Sequence, residues 1–118
     1  MDNKIKILKY LFDINSSINS IDLHLNYKRN YQDYINNLTI QRAVERELEI
    51  IGEAINRTTK LDNNITISYS RLIVDLRNKI IHSYDNINND VIWKIVIKDI
   101  PILKEEISQL ILNFSEKQ

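Results

Sequence analysis

The chain has 118 residues, with 16 basic and 16 acidic side chains, one glycine and no cysteine. Its size fits one domain, and 43% hydrophobic with 27% charged residues is typical of a globular protein. A net charge of zero excludes binding of nucleic acid by a general polycation, so an RNA contact needs a local patch or an added subunit. The lack of cysteine excludes disulfides and thiolate chemistry, and the lone Gly52 excludes a glycine-rich phosphate loop.

The first half of the chain shows helical periodicity, because its apolar residues recur at steps of three and four. The first predicted helix is about 22 residues long, with the stripe Ile7, Leu11, Ile14, Ile18, Ile21 and Leu25. The polar, tyrosine-rich stretch 26–37 is expected to be a turn with a short helical piece. A second long helix is predicted over residues 38–58, with Thr39 as its cap and the stripe Val44, Leu48, Ile51 and Ile55.

The second half of the chain predicts two more helices. One begins near Ser68, which can cap it, and ends between residues 82 and 85. The other spans residues 91–114 after a cap within residues 88–90, and Pro101 should kink it because proline donates no backbone hydrogen bond. The predicted fold class is therefore all-α, a single domain over residues 1–118 built as an up-and-down bundle of four main helices.

Several kinds of site and location are disfavoured by the sequence. His24 and His82 lie far apart without an H-E-x-x-H motif, so we expect no metal and no cofactor. His24 has no polar cluster near it in the sequence and is expected to be structural. The carboxylates Glu45, Glu49 and Glu53 are expected mostly to form a solvated face paired with arginines. No signal-peptide pattern or membrane-length apolar run occurs, so we expect a cytoplasmic protein without membrane contact.

The segment Arg77-Asn78-Lys79-Ile80-Ile81-His82-Ser83-Tyr84-Asp85 places a cation, an amide, an imidazole and a phenol at the end of a predicted helix. Its R-x4-H-x-Y pattern resembles the signature of the HEPN superfamily, and in particular of HepT-type toxins encoded beside a minimal nucleotidyltransferase. Two further blocks resemble the same family in the same order: the L-E-I-I-G-E-A helix at 48–54, and the Trp93 helix followed by Ile100-Pro101-Ile102-Leu103. Ser83 stands where the family often has glycine, and Ser68-Tyr69 where it often has Pro-Trp.

The resemblance implies a toxin of a toxin–antitoxin system that acts as a metal-independent endoribonuclease. It implies a HEPN-like homodimer with a composite cleft at the interface, an RNA substrate and a minimal nucleotidyltransferase antitoxin as partner. In the family the partner neutralises the toxin by transferring AMP to the motif tyrosine, here Tyr84. A hetero-oligomer with the antitoxin is left open.

The residue types suit cleavage of RNA without a metal. His82 can move a proton near neutral pH, and the planar guanidinium of Arg77 can bind phosphate. Asn78 can fix the imidazole tautomer or donate to phosphate, and Tyr84 can bind phosphate or stack on a base. Glu53, in the L-E-I-I-G-E-A block, can orient Arg77 from the neighbouring helix. The catalytic candidates are therefore Arg77 and His82, supported by Asn78, Tyr84 and Glu53.

Helical geometry constrains this site. Arg77 and His82 are five residues apart, about 140° around an ideal helix at about 100° per residue, so one intact helix does not aim both at one atom. Either the helix ends near Ile81, or two chains bring their motifs together, as the resemblance implies.

Two other hypotheses about the motif stay open. The domain could be a non-catalytic nucleotide- or RNA-binding module that regulates its nucleotidyltransferase partner, or a dimerisation scaffold. Each residue also has a structural alternative: Arg77 could pair with Asp75 or Glu53, and His82 could complement the helix dipole. Tyr84 could be a core aromatic.

Overall fold

The computed structural model describes residues 2–82 and 88–116, and within them the chain is all-helical. The helices are α1 (Asn3–His24), α2 (Tyr31–Ile35), α3 (Leu38–Leu61), α4 (Ser70–His82), α5 (Asn89–Lys94) and α6 (Ile100–Glu116), with a π-helical segment (Ile95–Asp99) joining the last two. Helix α1 packs on α3 and α6, and α4 packs on α3. The predicted bundle with a kinked last helix is confirmed. No helix in these two ranges is long and apolar enough to cross a bilayer.

The core is formed by the apolar stripes that the sequence predicted. The stripes of α1 and α3 are buried along their whole length, and Val96, Ile100, Leu103 and Ile107 extend the core into the last helix. The tyrosine-rich stretch 26–37 contributes to the core as well. Tyr34 is buried with its ring 5.1 Å from that of Trp93, and Tyr31 meets the same indole edge-on at 5.7 Å. These rings fix α2 against α5.

Two predicted helix caps are wrong. Helix α3 is capped by Asn37, whose side-chain oxygen accepts from the backbone N–H of Ile40 at 3.1 Å, so Thr39 lies inside the first turn. Ser68 does not cap α4, which begins at Ser70 after Tyr69 in a left-handed conformation with φ 62°. The backbone N–H and hydroxyl of Ser68 both donate to the carboxylate of Glu106, each at 2.6 Å. The periodicity of the apolar residues does not indicate which polar side chain caps a helix, so it could not predict these contacts.

The break in the last helix lies one turn before Pro101, in the π-helical segment. In a regular helix the residue at position 101 would donate to the carbonyl of Ile97, and proline has no N–H to do so. Arg29 from the α1–α2 linker takes that carbonyl instead, with Nη1 donating at 3.4 Å. The kink therefore has two causes, the missing donor and the wider π turn.

Candidate functional site

Helices α3 and α4 come into close contact at Gly52, which lies against the stem of Arg77. A Cβ atom built on Gly52 would lie 2.7 Å from Cβ of Arg77, 3.2 Å from its Cγ and 3.1 Å from the carbonyl oxygen of Ile73. Ordinary contacts of a Cβ atom begin near 3.4 Å. Only glycine fits here, and because it has no side chain, the stem of Arg77 packs directly against the backbone of α3. The isolated glycine inside a predicted helix was a sequence signal for close packing that the predictions did not use.

The guanidinium of Arg77 is held by two groups of its own chain. Its Nη2 donates to Oε2 of Glu53 on α3, and its Nη1 donates to Oδ1 of Asn78 at 2.7 Å. Its Nε is buried and has no hydrogen-bond partner within the described residues. The contact with Glu53 is the one that the sequence suggested, whereas Asn78 meets Arg77 through its acceptor oxygen and keeps its amide N–H groups for donation.

A cleft of about 450 Å³ opens beside this arginine, between α1, α3 and α4. Four cationic and three anionic side chains line it, leaving one excess positive charge in a chain of zero net charge: Lys9, Arg46, Arg57 and Arg77 with Asp13, Glu49 and Glu53. The apolar part of the wall includes Ile50, Ala54 and Ile81. The cleft therefore carries a small local excess of positive charge that the whole chain lacks.

Glu53 lies between two arginines. Its Oε1 accepts from Nε of Arg57 at 2.7 Å, while Oε2 faces Arg77. The hydrogen bond from Arg57 and the charges of both arginines hold the pKa of Glu53 below its usual value, although partial burial opposes them. The carboxylate therefore stays ionised and keeps both guanidinium groups close together.

The structure does not bring the two proposed catalytic side chains together in one chain. Helix α4 remains helical through its last residue, His82, which is exposed, and His82 is not among the described residues that line the cleft. Helix α4 thus ends one residue after Ile81, close to the end that the first alternative expected, and completion of the site by a second protomer stays a prediction. Tyr84 lies outside the described residues, as does Ser83.

The arginine–glutamate pairs expected along α3 are present, but one of their carboxylates is not solvated. Arg42 contacts Glu45 at 2.9 Å, yet Glu45 is buried, and burial raises its pKa against the opposing effect of Arg42. His24 also has a partner that the sequence did not indicate, because its Nε2 lies 2.8 Å from Oε2 of Glu47. That contact joins α1 to α3.

Comparison with known proteins identifies the family of this chain. The model of the family described as "Ribonuclease HepT-like" matches residues 7–110, which contain α2 to α5 and most of α1 and α6. The chain belongs to the HepT-like ribonuclease family. No solved structure matches it at a significant level.

Curated relatives of this HepT-like chain carry ribonuclease names. It is 35% identical over 109 residues to "Putative RNase MJ1380" of Methanocaldococcus jannaschii, covering 89% of this chain and 96% of the relative. It is 31% identical over 115 residues to "Putative RNase MJ0125" of the same organism, covering 94% and 96%. "Probable ribonuclease HepT" of Thermococcus cleftensis is 34% identical over 109 residues, covering 86% and 92%. The matches span nearly whole relatives, so the HepT-like unit accounts for most of each of them.

Proposed function

We propose that this chain is the toxin of a toxin–antitoxin pair and acts as a metal-independent endoribonuclease through Arg77 and His82. The observation that supports this most directly is the position of Arg77, whose Cβ and Cγ lie against Gly52 and which lines a cleft with one excess positive charge. The ribonuclease names of relatives that match over most of their length point to RNA as substrate.

The proposed reaction is a transesterification within the RNA. The ribose 2′-oxygen attacks phosphorus, the bond to the 5′-oxygen breaks, and the products are a 2′,3′-cyclic phosphate and a 5′-hydroxyl. A neutral His82 can accept the 2′ proton, and the imidazolium so formed can donate a proton to the leaving oxygen. Arg77 stabilises the negative charge that builds on the phosphorus oxygens. The proposal places the two motifs at a twofold interface, and it is supported by the absence of His82 from the described residues that line the cleft beside Arg77.

The primary test is cleavage of single-stranded RNA by wild type, Arg77→Ala and His82→Ala in the presence of EDTA. Each substitution should lower the rate by about 100-fold or more, the range for loss of an acid–base or oxyanion-stabilising group. Arg71→Ala is the matched control, because Arg71 is an exposed arginine on the same helix outside the cleft. Equal activity in all four proteins refutes the assignment. RNA binding without a cyclic-phosphate product from the wild type would favour the non-catalytic alternative.

The composite site has its own test. When Arg77→Ala and His82→Ala are mixed and allowed to exchange subunits, each mixed dimer keeps one arginine and one histidine of the shared groove. Partial recovery of cleavage is expected from two proteins that are inactive alone. No recovery, with exchange confirmed by mass spectrometry of tagged subunits, contradicts a shared groove.

Neutralisation is proposed to occur at Tyr84. A partner nucleotidyltransferase would transfer the adenylyl group of ATP to the phenol oxygen and release pyrophosphate, adding bulk and negative charge to the R-x4-H-x-Y motif. Co-expression with that partner should increase the intact mass by whole adenylyl units and abolish cleavage. Tyr84→Phe should stay unmodified and active in the same cells; an adenylylated Tyr84→Phe protein would exclude this acceptor.

A further inference from the structure

Arg57 is a cation of the cleft that has no part in the proposed chemistry. Arg57 lies one turn after Glu53 on α3, and its side chain is 57% exposed at the cleft wall. Its Nε binds Glu53, and interactions with Glu53 and with Tyr10 raise its pKa, so it is fully charged. Tyr10, from α1, lines the same cleft. A guanidinium and a phenol hydroxyl side by side are both suited to a phosphate oxygen.

The excess charge of the cleft can be located by its ion pairs. Lys9 pairs with Asp13 at 3.1 Å, and Arg46 pairs with Glu49 at 3.2 Å, so each pair is neutral. The remaining three charged groups are Arg57, Glu53 and Arg77, in which two cations share the two oxygens of one carboxylate. The single excess positive charge of the cleft therefore belongs to this group, which we call the arginine–glutamate–arginine cluster.

This arrangement bears on how Arg77 can act. With Glu53 alone, Arg77 would form a neutral pair that attracts a phosphate weakly. Arg57 binds the other oxygen of the same carboxylate, so a phosphate that approaches the cluster meets a net positive charge. Because both guanidinium groups contact one carboxylate, they lie close enough to contact neighbouring phosphates of a single strand.

We propose that Arg57, linked to Arg77 through Glu53, is a second phosphate-binding residue that holds the RNA backbone next to the phosphate bound by Arg77. This rests on the proposed function, because it names the backbone contact of the same cleft. It assigns Arg57 to binding and not to the chemical step.

The experiment measures affinity for single-stranded RNA as a function of salt, in the His82→Ala background to prevent cleavage. Loss of one phosphate contact reduces the slope of log K against log salt by about 0.7 for a single strand. Arg57→Ala should show that reduction and weaker binding. Arg46→Ala is the matched control, since it removes an equally exposed arginine from the same cleft and changes the charge by the same amount. Its slope should stay at the value of the parent.

A second comparison separates direct binding from positioning. If Arg57 acts only by holding Glu53, then Arg57→Ala adds nothing in a Glu53→Gln background. If it contacts phosphate, the same slope reduction appears there, and Arg57→Lys retains most of the binding. The inference is overturned if Arg57→Ala and Arg46→Ala give equal salt slopes, or if Arg57→Ala has no added effect in the Glu53→Gln background. In either case the proposed function still stands, provided that the parent protein binds RNA. Absence of RNA binding by the parent overturns both.

Discussion

Replacement of Gly52 by alanine tests whether the α3–α4 contact seats Arg77. The added Cβ would sit 2.7 Å from Cβ of Arg77, and ordinary contact begins at 3.4 Å, so these atoms must separate by at least 0.7 Å. Neither Cβ of Arg77 nor the backbone oxygen of Ile73 can move away by a change of rotamer. The two helices must therefore shift apart.

The energetic terms have opposite signs. Alanine is favoured over glycine inside a helix by about 0.5–1 kcal/mol, whereas forcing extra volume into a packed contact costs about 1–3 kcal/mol. Because the clash involves backbone and Cβ atoms, we expect the upper part of the second range and a net loss of about 1–2 kcal/mol. For a domain of 118 residues that lowers Tm by roughly 4–8 °C. A displacement of Arg77 near 1 Å should also lower the cleavage rate by about 100-fold.

Thermal unfolding and RNA cleavage are measured on Gly52→Ala beside Ile107→Val. Ile107 is fully buried on α6 and does not line the cleft, and its shortening costs a similar amount of stability, about 1 kcal/mol. The control should lose stability and keep its activity at a temperature where both proteins are folded. A Gly52→Ala protein as stable as the wild type, or an equal loss of activity in the control, refutes the reasoning.

Three further outcomes follow from the structure. The pKa of Glu53 is lowered, so its ionised carboxylate contributes to stability above its ordinary pKa near 4.5, and this contribution is lost as the pH falls through the pKa of the folded state. The difference in unfolding free energy between wild type and Glu53→Gln, measured with urea, should therefore shrink on acidification from pH 7. A constant difference contradicts this. Ser68→Ala removes one hydrogen bond to Glu106 and should cost about 1 kcal/mol by urea denaturation, and no change would show that the bond contributes nothing. Tyr34→Phe removes a buried hydroxyl that has no partner within the described residues, so Tm should stay level or rise; a fall of several degrees would reveal a missed partner.

The helices were predictable because burial repeats with the helical period. The stripes from Ile7 to Leu25 and from Val44 to Ile55 are core stripes in the structure. The caps were less predictable, since Asn37 and Thr39 are both capping residues and only the path of the chain decides between them.

The candidate site was predictable in part. The pairing of Arg77 with Glu53 follows from a resemblance that places both residues in motifs, whereas the seat at Gly52 and the shared carboxylate with Arg57 depend on the distance between two helices. That distance is set by tertiary packing; the isolated Gly52 indicates a close contact but not which side chain lies against it. The burial of Glu45 was missed for the same reason.

The contact between Arg29 and the carbonyl of Ile97 has a consequence for how the bundle opens. The hydrogen-bond ladder of the last helix is interrupted at Pro101, and the orphaned carbonyl is secured from outside the helix. Fraying that begins at the C-terminal end of α6 should therefore stop at this break, while α5 stays docked through the rings around Trp93. In amide exchange the two parts of the helix would open as separate units, so the tail can loosen without disturbing the helix that follows the motif.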